Sequence, residues 1–322
     1  MTKSRGRSGL TPRPGPPQLK LYSLRSRPSL VSVRKFARPL RPAASVRNLI
    51  DSFPEFLAAG DFRDFLGLVR TARSKGKAIH FACGAHVIKV GLTPILIDLM
   101  EEGWLTALSL NGAGIIHDFE VALCGATSEE VGPRIRNGRF GMARETGEFL
   151  NGAIREGARD GLGLGEAVGR MMAGSKFPYR RYSLLANAYK LGIPVTVHVA
   201  IGTDTIHFHP DADGEALGAT ALRDFGRFCS LVERLDGGGV FINVGSAVIL
   251  PEVFLKAVSV ARNKGARLDD FSTAVFDFNH QYRPDRNVVR RPLGKKGKGF
   301  YFIGHHEIML PLFAAALKSW YV

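Results

Sequence analysis

The sequence predicts an α/β fold: a doubly wound, mostly parallel β-sheet with helices on both faces. Six short apolar runs rich in Val, Ile and Phe do not alternate with polar residues, which is typical of strands buried on both faces. Segments with apolar residues at three- and four-residue spacing separate these runs, and that spacing is the period of a helix. Strands that alternate with helices in this way favour a parallel sheet covered on both sides.

The predicted elements follow one another regularly along the chain. The strands are expected at 77–84, 104–114, 193–202, 239–247, 271–278 and 297–304. The helices are expected at 45–76, 92–103, 115–125, 179–192, 219–238, 251–265 and 306–320, with further helical segments between residues 125 and 179. Gly103 and Gly192 stand where two of these helices should end, the usual place for a glycine cap.

The positive charge of the chain is concentrated at its N-terminus. The 322 residues carry a formal net charge of +15, from 44 Lys and Arg against 29 Asp and Glu. Residues 1–50 hold twelve of these bases and no acid, so 44 − 12 leaves 32 bases against 29 acids, or +3, for the remainder. We therefore expect a disordered basic tail at 1–45 and a single folded domain at 46–322. No folded nucleic-acid recognition motif accompanies the tail, so a nucleic-acid partner is not expected. A solvated tail and an organelle transit peptide are both consistent with its composition.

Cysteine usage and hydropathy exclude two classes of protein. Cys83, Cys124 and Cys229 are odd in number and far apart, which indicates a reducing compartment without a disulfide framework. We therefore expect a cytoplasmic protein. The most apolar stretch, 237–258, contains polar residues and a proline, so a membrane partner or span is not expected.

Ligands of a parallel sheet bind beyond the carboxyl ends of its strands, so the loops at those ends are the informative ones. They are 83–91, 111–118, 200–213, 244–250, 277–297 and 304–307. Several contain small residues, as in CGAH, NGAG and NVGSA, which would let a backbone approach a dinucleotide phosphate. Neither GxGxxG before a helix nor GxxxxGKS is present, so no standard nucleotide fingerprint supports this interpretation.

Histidines are concentrated near the same strand ends. The nine are His80, His86, His117, His198, His207, His209, His280, His305 and His306, with His80 inside its strand. In HFHPDAD, His207 and His209 would share one face of an extended segment and could bind a metal with Asp211, Asp213 or Glu307. They could equally hydrogen-bond a substrate or neighbouring loops. Because no HExxH motif supports the metal, we predict no resident metal ion.

A lysine-rich turn precedes the last predicted strand. GKKGKGFYF places Lys295, Lys296 and Lys298 together. The turn could simply be solvated and basic. A lysine desolvated at the mouth of a crevice could instead have a lowered pKa and attack an imine or carbonyl carbon.

From about residue 77 to its C-terminus, the sequence resembles the deoxyhypusine synthase family. The resemblance is carried by GAHVIKVGLTPILIDLMEEGW, NGAGIIHDFE, LGIPV before a strand-end loop, YRPD, the lysine-bearing turn and LPLF in the last helix. It implies a Rossmann-like fold, NAD as cofactor and a homotetramer with active sites shared across a dimer interface. It also implies transfer of an aminobutyl group from spermidine, through a lysine imine, to a protein lysine or another amine.

The sequence departs from the family pattern at several expected active-site positions. Where the family has paired glutamates after its glycine turn, this chain has Ile116 and His117, followed by the retained Asp118. The family's catalytic Trp-Gly-Lys has no tryptophan here, and Lys295 matches its lysine only after a three-residue insertion. Asp204 is displaced from an ungapped match to the family's Thr-Asp-Gly-Ser.

We infer three groups of site residues from the strand ends and this resemblance. NAD would contact Asn111, Gly112, Ala113, Gly114, Gly245 and Ser246. The catalytic residues would be His117, Asp118 and Lys295, the last as the covalent nucleophile, and the amine substrate would contact Asp204, His207, His209 and Asp285. The chain is thus predicted to be an NAD-dependent aminoalkyl transferase acting on a small polyamine-type donor. A metal-dependent hydrolase using His207 and His209, and a catalytically silent ligand-binding member, are the alternatives.

Overall fold

The structure, a computed structural model, describes residue 15 and residues 17–320. The chain divides into two compact units, Met1–Phe36 and Ala37–Val322. In the first unit, residues 17–36 are exposed and contain two 3₁₀ turns, Leu24–Ser26 and Val33–Lys35, each capped by a serine hydroxyl. Part of the predicted tail, residues 1–14 and 16, lies outside the described residues, and the disorder of the tail stays a prediction.

A six-stranded, all-parallel sheet forms the centre of the second unit, as far as the chain is described. Its strands are β1 (Ile79–Cys83), β2 (Ala107–Asn111), β3 (Val195–His198), β4 (Gly239–Val244), β5 (Phe271–Asp277) and β6 (Gly299–Ile303). They lie in the order β3-β2-β1-β4-β5-β6. Each observed strand falls within a predicted one, so the predicted doubly wound, parallel Rossmann-like fold is confirmed.

Thirteen α-helices connect and cover the strands in the described part of the chain. They are α1 (Val46–Ser52), α2 (Leu57–Ser74), α3 (His86–Lys89), α4 (Thr93–Glu101), α5 (Gly112–Cys124), α6 (Val131–Arg136), α7 (Arg144–Arg159), α8 (Leu164–Gly174), α9 (Leu184–Lys190), α10 (Gly214–Glu233), α11 (Ile249–Asn263), α12 (Tyr282–Pro284) and α13 (His306–Lys318). Short 3₁₀ helices at Arg180–Tyr182 and Thr205–Phe208 and a π-helix at Asp285–Arg290 complete the connections. No helix among residues 17–320 is both long and apolar enough to cross a membrane.

Successive strand residues contribute to two separate cores, because side chains of a β-strand alternate between its faces. Phe81 packs into the larger core with α2, α5 and α13, whereas Ala82 packs into the smaller one with α10 and α11. Both faces of the strands are therefore apolar, which explains why the strand sequences do not alternate between apolar and polar residues.

The strand order reverses between β1 and β4, and the two strand ends meet closely there. The Gly84 N–H donates to the Val244 carbonyl at 2.9 Å. A Cβ atom on Gly84 would lie 2.4 Å from the Gly245 carbonyl oxygen, so only glycine allows this approach. In open parallel sheets the ligand crevice lies at the carboxyl edge beside such a reversal.

Candidate active site

A cavity of about 210 Å³ opens at the carboxyl edge, beyond β1, β2 and β3. Its walls come from the start of α5, the segment between α5 and α7, and the loop after β3. The lining residues are Lys89, Ala113, Ile116, His117, Glu120, Ser128, Glu129, Val131, Phe140, Gly141, Ala143, Thr146, Thr203, Asp204 and Thr205. The structure therefore brings together three residues predicted from the sequence, Ala113, His117 and Asp204, and adds others.

One face of α5 lines this cavity, and the opposite face packs into the core. Ala113, Ile116, His117 and Glu120 recur at the three- and four-residue spacing of a helical face. Asp118 lies on the other side and is fully buried. The helical period, applied to His117, already points to Glu120 as the neighbouring carboxylate, and the sequence analysis missed this.

Asp118 does not reach the cavity, contrary to its predicted catalytic role. Its carboxylate accepts hydrogen bonds from the Ser183 hydroxyl at 2.6 Å and from the backbone N–H groups of Leu184 at 2.7 Å and Leu185 at 3.1 Å. These N–H groups belong to the first turn of α9, so Asp118 satisfies donors that the helix itself cannot. Burial raises the pKa of Asp118 to about 6, although its three hydrogen bonds oppose the shift. The geometry makes Asp118 a structural residue.

His117 is held in one tautomer by a hydrogen-bonded chain. The Thr127 hydroxyl donates to Glu120 Oε2 at 2.5 Å, so its oxygen accepts the proton of His117 Nδ1, 2.7 Å away. The second Glu120 oxygen accepts from the Thr146 hydroxyl at 3.2 Å. Burial lowers the pKa of His117, and Lys89 lowers it further while Glu120 opposes the shift. At neutral pH His117 is therefore an uncharged imidazole whose Nε2 lone pair can accept a proton.

Asp204 occupies the N-terminal end of α5 and requires a glycine there. A Cβ atom on Gly112 would lie 2.0 Å from Asp204 Oδ2, so any side chain at this position would displace the carboxylate. The positive end of the helix dipole favours a negative group at this place. Burial nevertheless raises the pKa of Asp204 to about 6. Gly112 thus admits a protein carboxylate, whereas the sequence predicted a close approach to the cofactor.

His207 faces Asp204 with its protonated nitrogen. Its Nδ1 accepts the N–H groups of Gly202 at 3.1 Å and Asp204 at 3.3 Å, so the ring proton is on Nε2. His207 Nε2 and Asp204 Oδ2 lie 3.8 Å apart, and both are enclosed without a hydrogen-bond partner in the described part of the chain. The side chains are only 4% and 6% exposed, so this is an unsatisfied buried polar pair at the cavity wall. Such a pair is costly unless a ligand or a small movement satisfies it.

The segment between α5 and α7 covers the cavity. Gly141 donates its N–H to Glu129 Oε1 at 2.6 Å, and it adopts a left-handed φ of 74° where Thr205 and Phe208 pack against it. Ser128, a non-glycine residue on the cavity wall, has a φ of 71°. Strained backbone of this kind clusters at functional sites.

The predicted cofactor residues lie on neighbouring strand ends at this edge. Asn111 caps α5 by accepting the Gly114 N–H at 3.2 Å, and Ser246 Oγ accepts the Leu250 N–H at 3.2 Å at the start of α11. Gly245, with a φ of 61°, packs against the ring of His306. Asn111 ends β2, and Gly245 and Ser246 follow β4. Because β1 lies between β2 and β4, these residues lie on either side of the end of β1.

Two hydrogen-bond acceptors beside Gly245 have no partner in the described part of the chain and can be compared with the hydrogen-bond donors of NAD. Asn243 donates through Nδ2 to the Ser246 carbonyl, and its Oδ1 has no partner among the described residues. His306 Nε2 donates to the Phe276 carbonyl at 3.2 Å, which leaves Nδ1 as an unpartnered acceptor. Ribose hydroxyls and the nicotinamide carboxamide carry matching donors. Asn243 and His306 are 0% and 1% exposed, so these two acceptors match the donors of a dinucleotide in chemistry but are enclosed in this structure.

Lys295 lies at the opposite edge of the sheet from the cavity of its own chain, so the structure does not bring it together with His117 and Asp204, and its role as nucleophile stays a prediction. It is exposed in the turn that enters β6, and the adjacent Lys296 N–H donates to the carbonyl of Asp269, just before β5. Both positions mark the amino edge, because all strands are parallel. Lys89, which follows β1 and which the sequence analysis did not select, is the lysine on the cavity wall.

The remaining predicted substrate residues are also away from the cavity wall. The His209 ring packs against α7, where a Cβ atom on Gly147 would lie 2.0 Å from it, and its Nδ1 accepts the Asp211 N–H. Asp285 is buried and accepts two hydrogen bonds from Arg290, at 2.8 and 3.0 Å. Neither side chain is placed to hold a polyamine.

The described residues also give no support to the metal-dependent alternative. His207 faces Asp204 and His209 faces α7, and no group of three or more His, Cys, Asp or Glu among residues 17–320 is arranged to hold a metal ion. The clustering of His80 and His198 has a structural cause instead. They end a buried chain of hydrogen bonds through Ser109 and Thr196, with links of 2.7, 2.7 and 3.0 Å. Burial lowers the pKa of His80 to about 3 and that of His198 to about 4, so both are neutral.

Comparisons with known proteins show similarity at the level of the fold. No protein-family model matches the chain, and no curated protein matches it. Among solved structures it is similar to a conserved LOR/SDH protein, assigned by prediction, from Methanococcus maripaludis S2. The TM-score is 0.51 at 15% identity, over 88% of this chain and 75% of that one. A predicted deoxyhypusine synthase from Entamoeba histolytica gives a TM-score of 0.53 at 10% identity, over 85% and 93% of the two chains.

A third similar structure contains bound ligands. AgrE in ternary complex with ornithine and NAD⁺ gives a TM-score of 0.52 at 15% identity, over 81% of this chain. The aligned part is 33% of AgrE, so this chain spans about a third of that protein's length. At these identities the similarity shows a shared Rossmann-like fold.

Proposed function

We propose that the chain is an NAD-dependent enzyme that oxidises an amine-bearing substrate at the cavity beyond β2 and β3. The observation that carries this proposal is the unsatisfied Asp204–His207 pair beside a neutral, oriented His117. A buried carboxylate without a cation is a binding position for an ammonium group. NAD, when bound, supplies a hydride acceptor.

The residues of the cavity have distinct tasks in this proposal. Asp204 binds the substrate ammonium, and His207 Nε2–H supports the carboxylate charge. His117 Nε2 accepts the proton that the amine must lose before its carbon can give up a hydride. Glu120, through Thr127, keeps the proton of His117 on Nδ1 and stabilises the imidazolium that forms. The segment that carries Glu129 and Phe140 covers the cavity and excludes water.

An aminoalkyl transfer to a second amine is the fuller form of this function. The similarity in fold to a predicted deoxyhypusine synthase and to the NAD⁺ and ornithine complex of AgrE supports an amine substrate. In this form the acceptor, a protein lysine or a free amine, would replace the donor's nitrogen at the oxidised carbon, and the displaced amine would leave. Reduction of the new imine by the NADH formed in the first step would complete the transfer. Lys295 of the same chain takes no part, because it lies at the other edge of the sheet.

The proposal is tested by NAD binding and by amine-dependent formation of NADH. We expect calorimetric binding of NAD to the full chain, and NADH formation with a diamine such as cadaverine or an amino acid such as L-lysine.

His117→Gln should lower kcat by about 100-fold or more, the usual contribution of a general base. Asp204→Asn should raise KM, and Asp211→Asn, which alters an exposed carboxylate outside the cavity, is the control. Absence of NAD binding at millimolar concentration would refute the cofactor, and unchanged turnover in His117→Gln would refute the assigned base.

A further inference from the structure

Two charged side chains on the cavity wall have no charged partner, and their signs are opposite. Lys89 extends from α3, is exposed, and makes no ion pair with any described residue. Asp204 has only the uncharged His207 near its enclosed Oδ2. A ligand that satisfies both must carry a negative and a positive group.

The two glutamates of the wall are already engaged. Glu120 accepts hydroxyl hydrogen bonds on both oxygens. Glu129 accepts the Gly141 N–H and lies 3.9 Å from the guanidinium of Arg134. Asp204 is therefore the wall carboxylate left for a ligand cation.

The dipole at the start of α5 does not serve a ligand anion, because the Asp204 carboxylate already occupies that end of the helix. Ser128 adds a hydroxyl donor to the cavity wall. The space is small, about 210 Å³ against about 300–1,000 Å³ for pockets that hold drug-sized ligands, so both ligand charges belong to one small molecule.

We propose that this cavity binds an amino acid, with its carboxylate toward Lys89 and an ammonium group toward Asp204. The inference rests on the proposed function and narrows its substrate class from amines in general to amino acids. A diamine would place its second ammonium beside Lys89, where like charges repel. A dicarboxylate would place its second carboxylate beside that of Asp204, where like charges also repel.

The test compares L-lysine with cadaverine, which has the same carbon chain and terminal amines but lacks the carboxylate. Calorimetry on the full chain, with and without NAD, should give a Kd for L-lysine about tenfold or more below that for cadaverine. Lys89→Met should remove this preference by weakening L-lysine binding, with cadaverine binding unchanged or tighter. Lys190→Met removes an exposed lysine at the end of α9, outside the cavity lining, and should keep the preference.

The outcomes distinguish failure of this inference from failure of the proposed function. Cadaverine binding as tightly as L-lysine, or a preference that survives Lys89→Met, overturns the assignment of an amino acid. If NAD does not bind but L-lysine binds through Lys89, the inference stands and the NAD-dependent function falls. If NAD binds and neither amine does, the inference is overturned and the cofactor assignment stands.

Discussion

Asp224 should make a large contribution to the pH dependence of folding stability. It projects from α10, is fully buried, and accepts the N–H groups of Gly165 at 2.8 Å and Val197 at 2.7 Å through Oδ2. It thereby joins the start of α8 to β3, while Oδ1 is enclosed without a partner among the described residues. Burial raises the pKa of Asp224 to about 7; the two backbone hydrogen bonds and Arg227 oppose this, and Glu166 adds to it.

The sign of the effect follows from proton linkage. A carboxyl group with a raised pKa binds its proton more tightly in the folded state, so it destabilises the fold as pH rises from about 4 to about 7. With a pKa of 3.8 unfolded and about 7 folded, raising the pH from about 5 to about 8 removes about 2–3 kcal/mol of stability, at 1.36 kcal/mol per pKa unit. The buried His80 and His198, whose pKa values are lowered to about 3 and 4, act in the opposite direction over part of this range.

Asp224→Asn isolates the contribution of this one group. Asparagine keeps an oxygen for the two N–H donors and has no proton to lose. The free energy of unfolding, from urea denaturation followed by circular dichroism at each pH, should shift by about 2–3 kcal/mol in favour of the variant between about pH 5 and about pH 8. Asp211→Asn, at an exposed carboxylate, is the control. A difference between variant and unmodified protein that is the same at both pH values would refute the reasoning.

Three further predictions follow from the geometry. Gly112→Ala should destabilise the protein by about 1–3 kcal/mol in thermal or urea unfolding, because its Cβ meets Asp204, whereas Gly152→Ala, on α7 with open space around it, should be neutral or stabilising. A stable Gly112→Ala would contradict the close approach. Lys295→Ala should leave NADH formation within about twofold of the unmodified protein, given typical surface effects under about 0.5 kcal/mol, and loss of turnover would return that lysine to the active site. Removal of residues 1–36 should change the unfolding free energy by less than about 1 kcal/mol, a typical single-mutation effect, and a larger loss would mean that this unit stabilises the rest.

The fold was predictable because its signals are local. Unalternating apolar runs and helical spacing locate strands and helices without knowledge of their neighbours, and all six strands fall where the sequence places them. The reversal between β1 and β4 was not predictable in this way. It depends on which strand the chain pairs with after β3, and the close approach of Gly84 to Gly245 becomes visible only once those strands are adjacent.

The site was predictable only in part, for two different reasons. Lys295 and Asp118 were selected by resemblance, although the sequence contains the information against both. A turn before a parallel strand must lie at the amino edge of its sheet. Asp118 falls outside the three- and four-residue spacing that relates Ala113, His117 and Glu120 on the cavity face of α5. The pairing of Asp204 with His207 is different, because the tautomer of His207 is set by backbone N–H groups of a folded loop. No sequence pattern reports such a hydrogen bond.

The residues on the two faces of α5 differ in how freely they can change during evolution. Residues on the cavity face can alter ligand specificity, and residues on the opposite face maintain the fold. Ala113 and His117 can change with little effect on packing elsewhere, since both are partly exposed and line the cavity. Ile115, Asp118 and Phe119 cannot, because they are fixed by the core and by the start of α9. A lineage can therefore acquire new ligand chemistry by substitutions one helical turn apart, while the intervening residues stay constant. The cavity-facing positions of α5 are therefore the ones to vary in a mutant library that aims to change substrate specificity.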